Sequence, residues 1–300
     1  MAMTVGIVGL GAMGGGIALT LRKNGFPVIG FDLRDELMAE LEAAGGSRAK
    51  SPRDVAERAD VVILSMPNAE AFHAVSTGQG GVGECGKKDL VVADTSTLYI
   101  ADKAAVAARL KDLGITLLDC TVSGTRLTVL EGNLVLFASG DEAAAKKMAP
   151  VFGGFTRNNT YVGEFGNASK IKYVINLLVC INDAATGEAL AYATKMGLDP
   201  QLTYRLVADS FATSKIFDQR GKLAVDGDFT SSRGFYGLAE KDAKIIGYEA
   251  ANSHAHVPIF AAALQMHEMG VATGFGKLDT ASLYEVYKIA CGLPSTVKRG

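Results

Sequence analysis

Along the first half of the chain, apolar residues fall in short unbroken runs: Val5-Gly-Ile-Val8, Phe26-Pro-Val-Ile-Gly-Phe-Asp32, Val61-Val-Ile-Leu-Ser65, Leu90-Val-Val-Ala-Asp94, 115–119 and 134–139. Continuous runs of this kind predict strands buried on both faces. Between them the apolar positions take helical spacing, as at Ile17, Ala18 and Leu21, in a helix running through Leu113, and over 141–152. Strand and helix in alternation predict a parallel sheet covered on both faces. From Asn167 onward the strand pattern stops and helical periodicity recurs over 167–196, 201–211, 238–250, 258–271 and 280–290. The boundaries carry their own signals. Ser51-Pro52 and Asp199-Pro200 are cap-then-proline starts, Asp279 is a further cap, and Gly197 ends the longest helix. The chain therefore divides into an α/β domain over 1–165 and an all-α domain over 166–300, joined through a long helix.

The turn after the first strand reads Gly9-Leu10-Gly11-Ala12-Met13-Gly14. This is G-x-G-x-x-G between a strand and a helix, the setting of a dinucleotide cradle. The first glycine permits the tight turn, the second lets backbone approach a pyrophosphate, and the third lets the helix pack on the strand. Asp32 ends the next strand, where a carboxylate accepts hydrogen bonds from ribose hydroxyls and repels a 2′-phosphate. The expected fold is thus a Rossmann doubly wound sheet, with NAD favoured over NADP. Arg34, two residues on, offers a partial counterweight for a phosphate. Ligands in such sheets sit beyond the carboxyl ends of the strands, where Met66-Pro67-Asn68, Thr97 and Ser123-Gly124 lie.

The long helix carries Lys172 and Asn176 four residues apart, on one face. Val174, Ile175, Leu177, Leu178, Val179 and Ile181 make its surroundings apolar almost all round, the pattern of a buried helix. Two readings of Lys172 stay open on the sequence. Desolvation draws an ammonium toward the pKa of a general acid/base, or the side chain snorkels to water or pairs with an acid.

Composition narrows the function classes. Thirty basic residues against 32 acidic ones give a net charge of −2, no footprint for nucleic acid or an anionic membrane; Lys298-Arg299 reads as a solvated tail. Four scattered cysteines without metal spacing suggest reduced thiols and a cytoplasmic location. Lys172, Asp183 and Glu188 interrupt the long helix, so no membrane span is expected. His254-x-His256 lacks the carboxylate or thiolate partners of a metal site, so no metal is expected. Ser123 lacks a nucleophile elbow and an assignable base, which argues against hydrolase chemistry.

Four motifs in order give the chain its resemblance to the β-hydroxyacid dehydrogenase family, the group containing 3-hydroxyisobutyrate dehydrogenase. They are Gly9 to Gly14 with Asp32; Asp94-Thr-Ser-Thr97; Asp119-Cys-Thr-Val-Ser-Gly124; and Gly163-x-x-Gly166-x-Ala168-x-x-x-Lys172-x-x-x-Asn176, with Lys241-Asp242 a fifth match. The resemblance covers essentially the whole chain. It implies hydride transfer between nicotinamide and a small β-hydroxy acid or its semialdehyde, with Lys172 as proton acceptor and donor and Asn176 orienting the substrate. Ser123, Gly124 and Thr125 stand where the family holds the substrate carboxylate, and Lys241 where it approaches nicotinamide and substrate. A homodimer or homotetramer through the helical domain is the assembly expected.

Three positions depart from the family pattern. Thr125 stands for a second glycine, followed by Arg126; Thr128 stands for an alanine; Ala168 stands for a glycine. A β-branched residue tolerates positive φ poorly, so the loop after Gly124 is expected to follow a different path. Arg126 is either a solvent-facing arginine or an added cation for a longer or more acidic substrate. Two other functions remain as alternatives: a cofactor-binding assembly module without catalysis, and an imine reductase of related architecture. Retention of Lys172 together with Asn176, Ser123 and Lys241 argues against both.

Overall fold

The computed structural model describes residues 3–230 and 236–297, with the backbone alone for 237–239. Lys298 and Arg299 lie outside the described residues. Two compact units divide the chain, Met1–Lys172 and Tyr173–Gly300.

In the first unit the apolar runs form β1 (Val5–Val8), β2 (Val28–Phe31), β4 (Val61–Leu64), β5 (Val91–Asp94) and β6 (Thr116–Asp119), with the two-residue β3 (Ser47–Arg48) at one edge. They pair in parallel in the order β3-β2-β1-β4-β5-β6, which is the Rossmann order. Helices α1 (Ala12–Lys23), α2 (Asp35–Ala43), α3 (Pro52–Arg58), α4 (Ala69–Thr77) and α5 (Ile100–Asp112) alternate with these strands. Two cores result, one containing Val5, Ile7, Ile17 and Ile63, the other Val8, Val62, Leu64 and Phe72. Each fully buried aliphatic side chain contributes about 1.5–3 kcal/mol. Ser51 caps α3 as expected, accepting the Asp54 N–H at 3.1 Å.

The run over 134–139 departs from the simple alternation. It forms β8 (Leu134–Ala138), which lies outside the six-stranded sheet, between antiparallel β7 (Val122–Ser123) and parallel β9 (Thr156–Tyr161). Only an isolated bridge, Asp119 to Ser139, links it to β6. Between β7 and β8 stands a short helix, α6 (Arg126–Leu130), and α7 (Glu142–Gly153) precedes β9.

Helix α8 (Asn167–Lys195) begins in the first unit and continues as the core helix of the second. The expectation that charges exclude a membrane-length segment fails on length and composition: an 18-residue window of α8 has mean hydropathy 1.3. Its polar residues, however, are used by neighbouring helices of the second unit, as Asn176 and Asp183 show below. The helix is also not buried all round. Val174 is 60% and Leu178 51% exposed, one turn apart on one face. Among the described residues the rest of this unit is helical: α9 (Pro200–Ala208), α10 (Lys222–Asp226), α11 (Tyr236–Asn252), α12 (Pro258–Ala272) and α13 (Leu283–Ala290). Asp199 and Asp279 cap as the sequence suggests, accepting the N–H groups of Leu202 and Ala281. All four cysteines are free thiols.

Candidate active site

Glycine shapes the loop from β1 to α1. Gly9 has φ = 87°, and a Cβ there would lie 2.4 Å from the Ser65 carbonyl oxygen; a Cβ on Gly14 would lie 1.9 Å from the Gly9 oxygen. Neither position admits a side chain. Gly11 is open by contrast, its nearest non-neighbouring atom being Arg34 Nη2, 3.5 Å from a notional Cβ. It heads α1 without a side-chain cap. The N-terminus of α1, with Ala12 exposed and Met13 half-buried, thus presents backbone N–H groups and a positive dipole end to an anion. This cradle fits a dinucleotide pyrophosphate.

Asp32 fastens the loop, accepting the Leu10 N–H at 2.8 Å. The same carboxylate accepts from the Arg34 N–H at 3.0 Å and from its guanidinium at 3.1 and 3.3 Å. Partial burial pushes the Asp32 pKa up, but these donors outweigh it and hold the group below the usual carboxylate range. Beyond β4, the Met66 N–H donates to Ser96 Oγ at 2.7 Å, Pro67 is exposed, and Asn68 Oδ1 caps α4 through the Ala71 N–H at 2.8 Å. Thr97 is half-buried at the exit of β5.

The loop beyond β6 explains two departures together. Gly124 takes the positive φ, +145°, while Thr125 is extended at φ −120° and needs no glycine. Thr125 instead starts α6 in a capping box with Thr128. The Thr125 N–H donates to Thr128 Oγ1 at 2.7 Å, and the Thr128 N–H reaches Thr125 Oγ1 at 3.4 Å. Thr128 also crowds Gly124, since a Cβ there would lie 2.4 Å from Thr128 Oγ1. Arg126 pairs with Glu40 of α2 at 2.6 Å, so its charge is engaged at the first unit's own surface. Gly16 lets α6 close on α1, because a Cβ there would meet Val129 at 2.4 Å, and Thr20 Oγ1 donates to the Val129 carbonyl at 2.8 Å. Gly9 to Gly14, Asp32, Arg34, Met66 to Asn68, Thr97 and Ser123 to Thr125 therefore all follow the carboxyl ends of β1, β2, β4, β5 and β6.

The first turn of α8 is clamped to the end of β6. Asp119 accepts the Ser169 N–H and Oγ–H, both at 2.8 Å, while Ser139 Oγ accepts the Ala168 N–H at 3.1 Å. Thr121 Oγ1 donates to the Ala168 carbonyl at 2.7 Å, and Ala168 is fully buried, so the alanine at this departure fits without strain. Lys172 lies three residues past Ser169 and is half-buried.

In the second unit, Asn176 donates from Nδ2 to Asp242 Oδ2 at 2.6 Å, and Lys241 Nζ stands 3.5 Å from Asp242 Oδ1. Sequence reasoning placed Lys241 in the site and left out Asp242, although the adjacent pair was visible. One turn beyond Asn176, burial pushes the Cys180 thiol up to about 12, which leaves it protonated and inert. Among the described residues no cluster of three metal-ligating side chains occurs.

Matches to known proteins extend over both units. Residues 4–163 match the NAD binding domain of 6-phosphogluconate dehydrogenase, and residues 166–287 match the NAD-binding domain of NADP-dependent 3-hydroxyisobutyrate dehydrogenase. The chain is 30% identical over 294 residues to 2-(hydroxymethyl)glutarate dehydrogenase of Eubacterium barkeri, covering 97% of each chain. It is 30% identical over 288 residues to L-threonate dehydrogenase of Cupriavidus necator, covering 96% of this chain and 97% of the relative. A 3-hydroxyisobutyrate dehydrogenase structure from Salmonella typhimurium superposes with a TM-score of 0.86 at 31% identity, over 95% of this chain and 99% of that one. The chain therefore belongs to the β-hydroxyacid dehydrogenase family, oxidoreductases that transfer a hydride between NAD(P) and a small hydroxy acid.

Proposed function

We propose that the enzyme oxidises a small β-hydroxy acid, or reduces its semialdehyde or keto acid, with Lys172 as general acid/base and NAD as the preferred cofactor. The observation that carries this reading is the clamp of Asp119 on Ser169, which holds the turn bearing Lys172 on a rigid support at the carboxyl end of β6. The bound nicotinamide supplies hydride acceptance or donation at the substrate carbon. Lys172 takes the hydroxyl proton during oxidation and returns it during reduction. Asn176, oriented by Asp242, holds the reacting oxygen. Ser123 and the backbone of Gly124 and Thr125 bind the substrate carboxylate through hydroxyl and N–H donors, and Lys241 adds a cation beside the reacting groups.

The side chain of Asp32 supports NAD, since its oxygens suit ribose hydroxyls and an added 2′-phosphate would need Arg34 to leave that carboxylate. Relatives named for 2-(hydroxymethyl)glutarate and L-threonate support a short carboxylate-bearing substrate. The test is consumption of NADH and NADPH in parallel across short aldehyde and keto acids. Lys172→Ala is expected to lower kcat by about 10²–10⁴-fold while NADH still binds, and Asp32→Ala to narrow the preference for NADH through KM. Loss of NADH binding in Lys172→Ala would move that residue from substrate to cofactor, and better use of NADPH by the wild type would reverse the cofactor assignment.

The exposed apolar face of α8, with Val174 and Leu178, supports a second copy of the chain as its cover and hence a homodimer or homotetramer. Sedimentation of wild type and Leu178→Asp tests this: the variant is expected to shift toward monomer, and a monomeric wild type removes the reading.

A further inference from the structure

Beneath the strand ends of the first unit lies a charge cluster of which only Asp119 has been used above. Lys103, near the start of α5, is fully buried, as are Asp94 at the end of β5 and Asp119 at the end of β6. Its ammonium stands 3.0 Å from Asp94 Oδ2 and 2.8 Å from Asp119 Oδ1. Burial opposes the charge on Lys103, yet the two carboxylates override it and raise its pKa. A buried ion triad of this kind is a poor source of net stability. Its outward bonds suggest another use.

Each carboxylate reaches a different part of the proposed site. Asp94 Oδ1 accepts the Ser96 Oγ–H at 2.6 Å and the Ser96 N–H at 3.1 Å, and Ser96 Oγ accepts the Met66 N–H at 2.7 Å, at the head of the cofactor segment Met66 to Asn68. Asp119 accepts from Ser169 at two atoms and from Ser139 Oγ at 3.1 Å. The Ser169 N–H bond to Asp119, with the Ala168 N–H bond to Ser139 Oγ, satisfies N–H groups at the start of α8 for which the helix has no acceptors of its own, one turn before Lys172. One ammonium thus holds together two carboxylates that would otherwise repel, one serving a cofactor segment and the other the helix turn that carries the acid/base.

We propose that Lys103 is a positioning residue for hydride transfer, setting the cofactor segment and the Lys172 turn in register through separate arms, Asp94–Ser96–Met66 and Asp119–Ser169. The proposal rests on the reading of Lys172 as the acid/base. Removing the ammonium leaves two facing carboxylates with no common partner, and both arms shift. Misplacement on the scale of an ångström costs up to about a hundredfold in rate.

Steady-state kinetics with NADH and the best substrate, on Lys103→Met, Ser169→Ala, Ser96→Ala and Lys172→Ala, separates the possibilities. Ser169→Ala is expected to lower kcat about tenfold with KM for NADH unchanged, Ser96→Ala to raise KM for NADH several-fold with kcat nearly held, and Lys103→Met to do both, with kcat down by about ten- to a hundredfold. If Lys103→Met fails to fold, the opposite signatures of the two serine variants decide alone. Lower melting temperatures with unaltered kcat and KM, or identical kinetic changes in both serine variants, overturn the proposal. Full turnover in Lys172→Ala instead overturns the reading on which it rests.

Discussion

The protein holds two buried clusters of the same composition, two carboxylates around one cation, and they are built differently. In the first unit, Lys103 sits within 3.0 Å of both Asp94 and Asp119, and the carboxylates collect further donors from Ser96, Ser139 and Ser169. In the second, Arg220 reaches Asp279 at 3.1 Å but stands 3.6 Å from Asp183, and Arg220 Nε and Asp183 Oδ1 are buried without a hydrogen-bond partner. Protonation follows the donors acid by acid: in the first cluster Asp94 Oδ2 also lacks a hydrogen-bond partner beyond its ion pair with Lys103, and burial raises the Asp94 pKa although Lys103 and Ser96 oppose it. Burial raises the Asp119 pKa, but Lys103 and the Ser169 donors more than reverse it, leaving it low. Burial pushes Asp183 up to about 6, and Arg220 offsets only part of that. A charge taken out of water stays charged when donors surround it, and drifts toward neutrality when they do not.

The largest expected effect distinguishes the clusters by stability. Lys103→Met leaves two facing carboxylates in a dry site and is expected to cost about 3–5 kcal/mol, as the loss of one partner from a buried ion pair does. Arg220→Met is expected to cost less, about 1–3 kcal/mol, because Arg220 bonds Asp279 but stands off from Asp183, whose carboxyl, already raised to about 6, takes up a proton readily once the cation is gone. Urea unfolding of the three cofactor-free proteins at neutral pH compares them. Equal losses would mean that donor saturation makes no difference to what each cation is worth.

The sequence carried the framework that holds the first cluster but not the cluster itself. Strands β1, β4, β5 and β6 were legible because strands buried on both faces leave unbroken apolar runs, and Ser51, Asp199 and Asp279 were legible as caps because capping needs a particular side chain at a particular place. Strand β9, Thr-Arg-Asn-Asn-Thr-Tyr, escaped notice because five of its six residues are exposed and the strand is defined by pairing with β8 rather than by composition. Helix α6 was hidden for a different reason: its start is a reciprocal bond between Thr125 and Thr128, which the family pattern made look like two unrelated departures. Of the candidate site, the glycine loop, Asp32 and the Lys172 turn were readable as local patterns. Asp242 was visible beside Lys241 but its bond to Asn176, 66 positions away, was not, and Lys103 was not readable at all, since its partner Asp119 stands 16 positions away. Lys103 in particular sits in an Ala-rich helix, where a lysine on sequence alone reads as solvent-facing.

The looser cluster makes a smaller prediction with a definite sign. An acid whose folded pKa exceeds its unfolded value binds its proton more tightly in the folded state. Its contribution to stability is therefore complete below the unfolded value of 3.8 and is lost as pH rises through the folded value of about 6. Asp119, held low, behaves oppositely: its contribution is present above the unfolded value and disappears as pH falls through the folded one. Across pH 4 to 8 the Asp183 effect is worth about 2–3 kcal/mol, at roughly 1.4 kcal/mol per unit of pKa difference. Asp183→Asn cannot titrate, keeps a group that can accept from Arg220, and so should gain on the wild type by that amount between pH 4 and pH 8, whatever its constant offset. Urea transitions of both proteins at pH 4, 6 and 8 measure the change. Stability curves that run parallel across that range would mean that Asp183 stays ionised and that Arg220, for all its distance, holds it as firmly as Lys103 holds Asp119.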